Sequence, residues 1–481
     1  MADSGALLTA DGRPAPAHSG EGKPPRFYMT SLVIMSLSFF LVYTAFSAIQ
    51  NLSGEYVGHA GSTSVSVLYF VFAASCIGGP AVVDYLGQRW SLFTAFVFIA
   101  LFCVANWIAV GAGKGAEHDG LKYAVLVPTG ALLGFGASFL WTAQGSYLTT
   151  ASEHYSIASG RPSKAALGTF NGVFWGFFQL TQLSGNLLEP LVSDATDDST
   201  SAVFLVYAAF AVAGTVLIIF LPSIGKVKQS DKSAPDRDAT SSSLQIESTE
   251  EEEEKTTMQK FADVIGLWTD RRFVWFLPAI LLSGFEQGFI WNDFTTYYIP
   301  PVLGKKDIGY VMAVFGASDA VASVSMGKIS DAIGRAPVLT IGFAAQCLVI
   351  LLFIVHGAPE DGTTEPFWTW GGGWGSLIVA AVLWGIGDAV WNTQISALLG
   401  DVFSADTGPA FANFKLWQSL SIAASFLYNQ HLGIVPKQLI VYLSLCIGYV
   451  CARMASIKAA EANAAAEAKL RKYKTSATEE P

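Results

Sequence analysis

Gly327-Lys-Ile-Ser-Asp331-Ala-Ile-Gly334-Arg335 ends the eighth of about twelve apolar stretches in this chain, and its spacing decides how the rest is read. A weaker copy, Asp84-Tyr-Leu-Gly87-Gln-Arg89, ends the second stretch; it keeps the acid and the glycine but has Pro80 where the first glycine is expected. The two aspartates stand 331 minus 84, or 247, positions apart, which puts them at equivalent points of two six-helix halves arranged as a parallel repeat. Glycine permits a tight loop and a close helix approach, and aspartate beside arginine can hold neighbouring helix ends in one arrangement through charge and dipole contacts. Asp84, Arg89, Gly327, Asp331, Gly334 and Arg335 are therefore candidate gate residues. The plainer use of the two acids is to cap helices or to neutralise nearby basic groups in a static scaffold.

Composition says what surrounds those motifs. The 481 residues are 52% hydrophobic and 14% charged, against about 25% charged in soluble domains. A bilayer core about 30 Å thick needs roughly 20 apolar residues per helix, and the chain supplies such stretches from residues 27–50 through to 436–454. Gly and Pro recur inside them, as membrane helices tolerate, so the expected fold is an all-α membrane protein of about twelve spans rather than a barrel. The expected organisation is a disordered cytoplasmic amino terminus (1–26), a first half (27–222), an acidic cytoplasmic linker (223–272), a second half (273–454) and a cytoplasmic tail (455–481). The linker contains the run Glu250 to Glu254 and little that could form a core, and it accounts for much of the formal charge of −10. The tail, rich in Ala with interspersed Glu and Lys, favours a helix.

With both termini cytoplasmic, inside segments hold roughly 22 of the 28 Lys and Arg, outside segments about five, and Lys415 alone lies within a span. The opposite orientation inverts that bias. The amino-terminal segment lacks the apolar core of a cleavable signal peptide, so the first span is expected to act as an uncleaved anchor. All five cysteines fall within or at the edge of spans and suggest small core residues rather than a disulfide framework. Asn51-Leu-Ser53, just beyond the first span, is the one glycosylation sequon, close enough to the membrane to disfavour occupancy.

The pattern G-x-x-x-D-x-x-G-R resembles the loop signature of the major facilitator superfamily. Further stretches narrow the likeness: Phe40-Leu-Val-Tyr-Thr-Ala-Phe-Ser-Ala-Ile-Gln50-Asn51, Leu140-Trp-Thr-Ala-Gln144, Phe177-Phe-Gln-Leu-Thr-Gln182-Leu-Ser-Gly-Asn186, Ser283-Gly-Phe-Glu286-Gln287, Leu383-Trp-Gly-Ile-Gly-Asp388-Ala-Val-Trp-Asn392-Thr-Gln394 and Ala410-Phe-Ala-Asn413-Phe-Lys415-Leu-Trp-Gln418. Together these resemble the uncoordinated-93-like family, in both halves, leaving only the ends and the linker unmatched. The resemblance implies a facilitator-type fold and a family whose best-known members modulate a potassium channel or escort other membrane proteins. It supplies no transport reaction.

Ionisable groups in hydrocarbon are costly, so they usually face an interior cavity and have partners. Glu286 and Asp388 fall near the middle of spans seven and ten, which line the central cavity in the arrangement the sequence resembles. Asp388 and Asn392, with Gln394 slightly off their line, suggest a polar strip, as do Glu286 with Asp293, and Gln179 with Gln182 and Asn186. Gln144 in span four joins Glu286, Asp388, Asn392 and Gln394 as a candidate for a cavity, ion or proton site. The same residues could instead bind helices together by side-chain hydrogen bonds. Lys415 and Asp319 are a candidate structural charge pair.

No HExxH, no phosphate-binding Gly-Lys-Ser/Thr loop and no His and Cys at metal spacing occur, so neither catalysis nor a metal or cofactor is expected, and nothing points to nucleic acid. The partners expected are the lipid bilayer, an ion channel or trafficked membrane protein, and a small solute or ion. Two functions compete: a regulator or accessory subunit in ion homeostasis, and a secondary transporter working by alternating access, with proton coupling through Glu286 or Asp388. The intact second motif favours the transporter. The degraded first motif, with Pro80 and with Gln88 where a basic residue is common, favours a less mobile scaffold.

Overall fold

The computed structural model describes residues 23–113, 118–225, 257–403, 407–429 and 431–478; most of the segment 1–26 and of the acidic linker lies outside them. Twelve helical segments follow in the expected order. They are α1 (Pro25–Tyr56), α2 (His59–Ser75, continued after a 77° bend by Gly79–Leu86), α3 (Gln88–Gly111), α4 (Asp119–Ser159), α5 (Ser163–Ala195) and α6 (Thr200–Ile218), then α7 (Arg271–Leu303), α8 (Ile308–Ile333), α9 (Arg335–His356), α10 (Trp374–Val402), α11 (Thr407–Tyr428) and α12 (Ile434–Thr478). Among the described residues nine helices are long and apolar enough to cross a bilayer, or ten with bent α2 counted as one. The other two, α5 and α11, have the length but are diluted by Asn171, Gln179, Gln182 and Asn186 in one and by Asn413, Lys415 and Gln418 in the other. The chain is an integral, multi-pass membrane protein.

The packing scheme is written twice. In the first half α1 packs on α5 and α6, α2 on α4, and α3 on α4 and α6; adding six to each number gives α7 on α11 and α12, α8 on α10, and α9 on α10 and α12, all of them observed. Two seams between the halves, α2 with α11 and α5 with α8, exchange under the same shift, and α1 also meets residues 289–297 of α7. The two diluted helices therefore both stand at seams, where protein rather than lipid satisfies their polar groups.

The motifs that revealed the repeat have matching backbones. Gly87 and Gly334, each three residues after the motif aspartate, have φ of 78° and 85°, and each ends one helix with the next beginning at once. Only glycine adopts that conformation without strain, which explains how two long helices turn back on a single residue. Gly327 is different: a Cβ there would meet nothing, so it is not a point of close helix approach as expected.

Two sequence expectations change here. Helix α1 runs past residue 50 to Tyr56, so Asn51 is buried within the helix rather than beyond its end, and its Nδ2 donates to Asn186 Oδ1 at 2.9 Å. An asparagine so engaged is not available to carry a glycan. The end of the linker is also structured: Thr257–Gly266 is a helix, Asn413 of α11 donates to Val264 O at 2.8 Å, and Trp268 Nε1 donates to Asn413 Oδ1 at 2.7 Å. At the start of α7, Asp270 accepts from the Arg272 backbone N–H at 2.7 Å, and the Arg272 guanidinium holds its carboxyl below the usual range.

Candidate functional site

Helix α7 does not continue regularly through the membrane. After Gly288 it widens into a π-helical stretch, Phe289–Phe294, a distortion frequent at functional sites. Just before it, Glu286 is wholly buried, its Oε2 accepting from Gln346 Nε2 of α9 at 2.9 Å and from Trp384 Nε1 of α10 at 2.7 Å. Gln346 Oε1 in turn accepts from Trp391 Nε1 at 2.7 Å. Asp388 Oδ1 accepts from Gln287 Nε2 at 3.0 Å and Asn392 Nδ2 at 2.6 Å.

The Glu286 and Asp388 carboxyls are both buried, and Gln287, next to Glu286 in the chain, donates to Asp388, which brings the two acids into one network. Glu286 Oε1 is buried with no hydrogen-bond partner in the protein, which leaves it an open acceptor or, when protonated, a donor. Chemically the pair can hold and release a proton or coordinate a small cation.

From Asp388 the hydrogen bonds run outward to a cavity. Asn392 Oδ1 accepts from Gln418 Nε2 at 3.1 Å, and Gln418 Oε1 accepts from Lys415 Nζ at 3.0 Å. Gln287, Asn392, Lys415 and Gln418 form one wall of a cavity of about 220 Å³ between the halves; Tyr43, Phe46, Tyr69, Phe72 and Trp141 of the first half form the facing wall, with Trp291 beside them. A larger hollow of about 470 Å³ lies on the α5–α8 seam and contains none of these polar residues.

Contacts that cross between the halves lie towards the end opposite the chain termini. Ser62 Oγ donates to Asn292 Oδ1 at 3.1 Å, Lys305 pairs with Glu55, and nearer the middle Ser66 Oγ donates to Ala423 O at 2.8 Å. Lys415, early in α11 and so towards the terminal end, is exposed to the cavity.

Several expected roles move. Lys415 does not pair with Asp319: among the described residues no carboxylate lies within the 4.0 Å of an ion pair from its Nζ, and Asp319 instead accepts from Ser323 Oγ at 3.3 Å. Gln394 faces away from the cavity and accepts from Ser330 Oγ of α8 at 3.1 Å. Gln144 is buried in α4 but does not line the cavity. The Gln182 and Asn186 strip binds α5 to α1 through Asn51.

Of the gate candidates, Asp84 is exposed, Arg89 Nη2 donates to Ile219 O at 2.6 Å, and Arg335 Nη1 pairs with Asp401 Oδ2 of α10 at 2.7 Å. The Asp331 side chain lies outside the described residues. Gln88 stands directly after its glycine as Arg335 does, and it binds the corresponding helix, α4, donating to Ser146 Oγ at 2.6 Å.

Sequence reasoning missed Lys437, counted among the outside residues because it opens the last span. It is fully buried, its Nζ 2.9 Å from Asp293 Oδ1 in the π-helical stretch, with Asn429 as a second acceptor. Gln346, an amide inside the apolar run of α9, was the one missed residue that its context could have flagged.

Residues 54–453 match the family model described as ion channel regulatory protein UNC-93. The chain belongs to that family. Relatives agree across the UNC-93 region: the chain is 30% identical over 442 residues to UNC93-like protein 3 of Arabidopsis thaliana, covering 91% of this chain and 87% of that one. It is 27% identical to protein unc-93 homolog A of Homo sapiens (85% and 89% covered) and 25% identical to the putative potassium channel regulatory protein unc-93 of Caenorhabditis elegans (89% and 60%). Among solved structures this UNC-93 member resembles the nucleoside transporter NupG, with a TM-score of 0.59 at 13% identity over 89% of this chain and 100% of that one. It also resembles a D-xylose–proton symporter, at 0.56 and 15% over 89% and 97%. At such identities the likeness establishes the fold, that of the major facilitator transporters, and nothing of substrate.

Proposed function

We propose that this chain is a non-catalytic regulator or accessory subunit in ion homeostasis, acting on an ion channel, potassium-selective by analogy with one relative's name, or on another trafficked membrane protein. The observation that carries this is the family match over residues 54–453. The excess of basic residues at the terminal end supports an orientation with both termini cytoplasmic. The motif ends, Asp84 with Arg89 and Asp331 with Arg335, around Gly327 and Gly334, are the natural place for movement between the halves.

A specific feature favours a second reading, secondary transport: a cavity between the halves, closed at one end, with a carboxyl pair behind it. Purified full-length protein in sealed liposomes separates the two. Regulation predicts no ion or proton flux from the chain alone, together with an altered potassium conductance when a channel recovered with it from native membranes is added. Flux from the chain alone that disappears in Glu286→Gln and Asp388→Asn would replace that reading with transport.

A further inference from the structure

The central cavity presents two unlike walls, and their chemistry specifies an occupant more narrowly than the fold does. On the second half's side Lys415 is the one charged side chain in the lining. Its Nζ has three donors, and its hydrogen bond to Gln418 Oε1 uses one of them. The acid that acts on it electrostatically, Asp388, does not itself line the cavity, and its Oδ1 already receives the amides of Gln287 and Asn392, which do. What the wall offers an incoming group is therefore an ammonium. Trp291, also in the lining, adds ring surface beside that ammonium; its indole N–H is buried away from the cavity.

The opposite wall is made of rings. Tyr43 and Trp141 have centroids 5.5 Å apart, and Trp141 stacks on Trp175 at 6.2 Å. Such a surface receives a flat apolar body. The volume, about 220 Å³, is below the roughly 300–1,000 Å³ of sites for drug-sized ligands, so the occupant is small.

We propose that this cavity binds a small organic monoanion with a flat apolar body, its anionic group on Lys415 and its body against the ring wall of the first half. The inference goes beyond the regulatory reading and does not depend on it: the anion serves equally as a ligand that biases the closed arrangement or as cargo. The chain of hydrogen bonds from Lys415 through Gln418 and Asn392 to Asp388 gives the bound charge a physical connection to the carboxyl pair.

The test uses the purified full-length protein in detergent, with benzoate as probe and acetate and benzylamine as controls that lack the ring or reverse the charge. Equilibrium binding and thermal unfolding are both read. Benzoate should bind and raise the unfolding midpoint, with benzylamine at least about tenfold weaker, the weight of one hydrogen bond to a charged group, and acetate also weaker because it leaves the ring wall unfilled. Lys415→Gln should weaken benzoate by a similar factor, Lys415→Arg should retain most of the affinity, and Trp141→Ala should weaken benzoate while leaving acetate unchanged. Should Lys415→Gln fail to fold, the comparison of benzoate with benzylamine on the unmodified protein decides. Benzylamine binding as tightly as benzoate, Lys415→Gln retaining full affinity in a folded protein, or no benzoate binding at all would each overturn the proposal. Binding without flux in liposomes leaves the regulatory function standing.

Discussion

In the first half Phe39 lies edge-on to Phe96 of α3 and to Phe174 of α5, with centroids 5.0 Å apart in each case, and 6.0 Å from Trp141 of α4. The residue 247 positions further on, 286 minus 39, is Glu286. It occupies the corresponding helix and joins the corresponding neighbours, but through hydrogen bonds from Gln346 of α9 and Trp384 of α10. Trp141 corresponds in the same way to Asp388, 388 minus 141 being 247. One packing scheme thus carries two interiors, rings in one half and carboxyls with amides in the other. Rings accommodate small changes of position, whereas a buried polar network has to be satisfied member by member. At these equivalent positions it is therefore the second half whose stability and protonation are tied together, and the first half is the surface it works against.

That contrast can be broken by removing charge from the second half. The Asp293–Lys437 pair, with both side chains fully buried, should give the largest effect. Lys437→Met leaves Asp293 alone in the interior and should cost about 3–5 kcal/mol, read as a fall in the unfolding midpoint in detergent. Asp293→Asn combined with Lys437→Met should recover much of that loss, since no charge is then left unpaired. A double variant as unstable as the single would mean that packing, not charge, holds the π-helical stretch to α12.

A smaller effect sharpens the comparison at equivalent depth. Trp384→Phe removes a donor from Glu286 and should cost about 1–3 kcal/mol. Trp141→Phe, a change of ring within a cluster of rings, should cost less than about 1.5 kcal/mol. Equal losses would show that the two interiors do not differ in the way their contacts suggest.

The repeat itself was legible because its signal is local: a glycine at fixed distance from an aspartate reports a single φ, and two copies report a symmetry. Glu286 and Asp388 were legible because a carboxyl in an apolar run is expensive wherever it points. Pairing was not legible. Lys415 and Asp319 were matched by charge alone, yet their helices belong to different contacts, and Lys415 turns to the cavity. Lys437 escaped because a lysine at the edge of a span ordinarily reaches for water, and only the three-dimensional position of Asp293 draws it inward. The aromatic wall was invisible for a related reason, since Tyr43, Phe46 and Trp141 read as core in any membrane helix until an opposing polar wall shows that they bound a space.

The smallest effect is expected where the two motifs have diverged. Arg335 pairs with Asp401 at 2.7 Å, but their side chains are 27% and 39% exposed, so the pair should contribute under about 1 kcal/mol and be weakened by salt. Gln88 holds the equivalent helix of the first half by neutral hydrogen bonds to Ser146 and Thr150. Arg335→Gln and Gln88→Ala should therefore each lower stability slightly, and they should part company with ionic strength. The Arg335→Gln deficit should shrink as salt is added, because the unmodified protein loses the same interaction to screening, while the Gln88→Ala deficit should stay constant. Unfolding midpoints of both variants at low and high salt measure this directly. Parallel salt responses would mean that Gln88 and Arg335 do not do the same task by different chemistry, and the repeat would then extend to the backbone of the two motifs but not to their side chains.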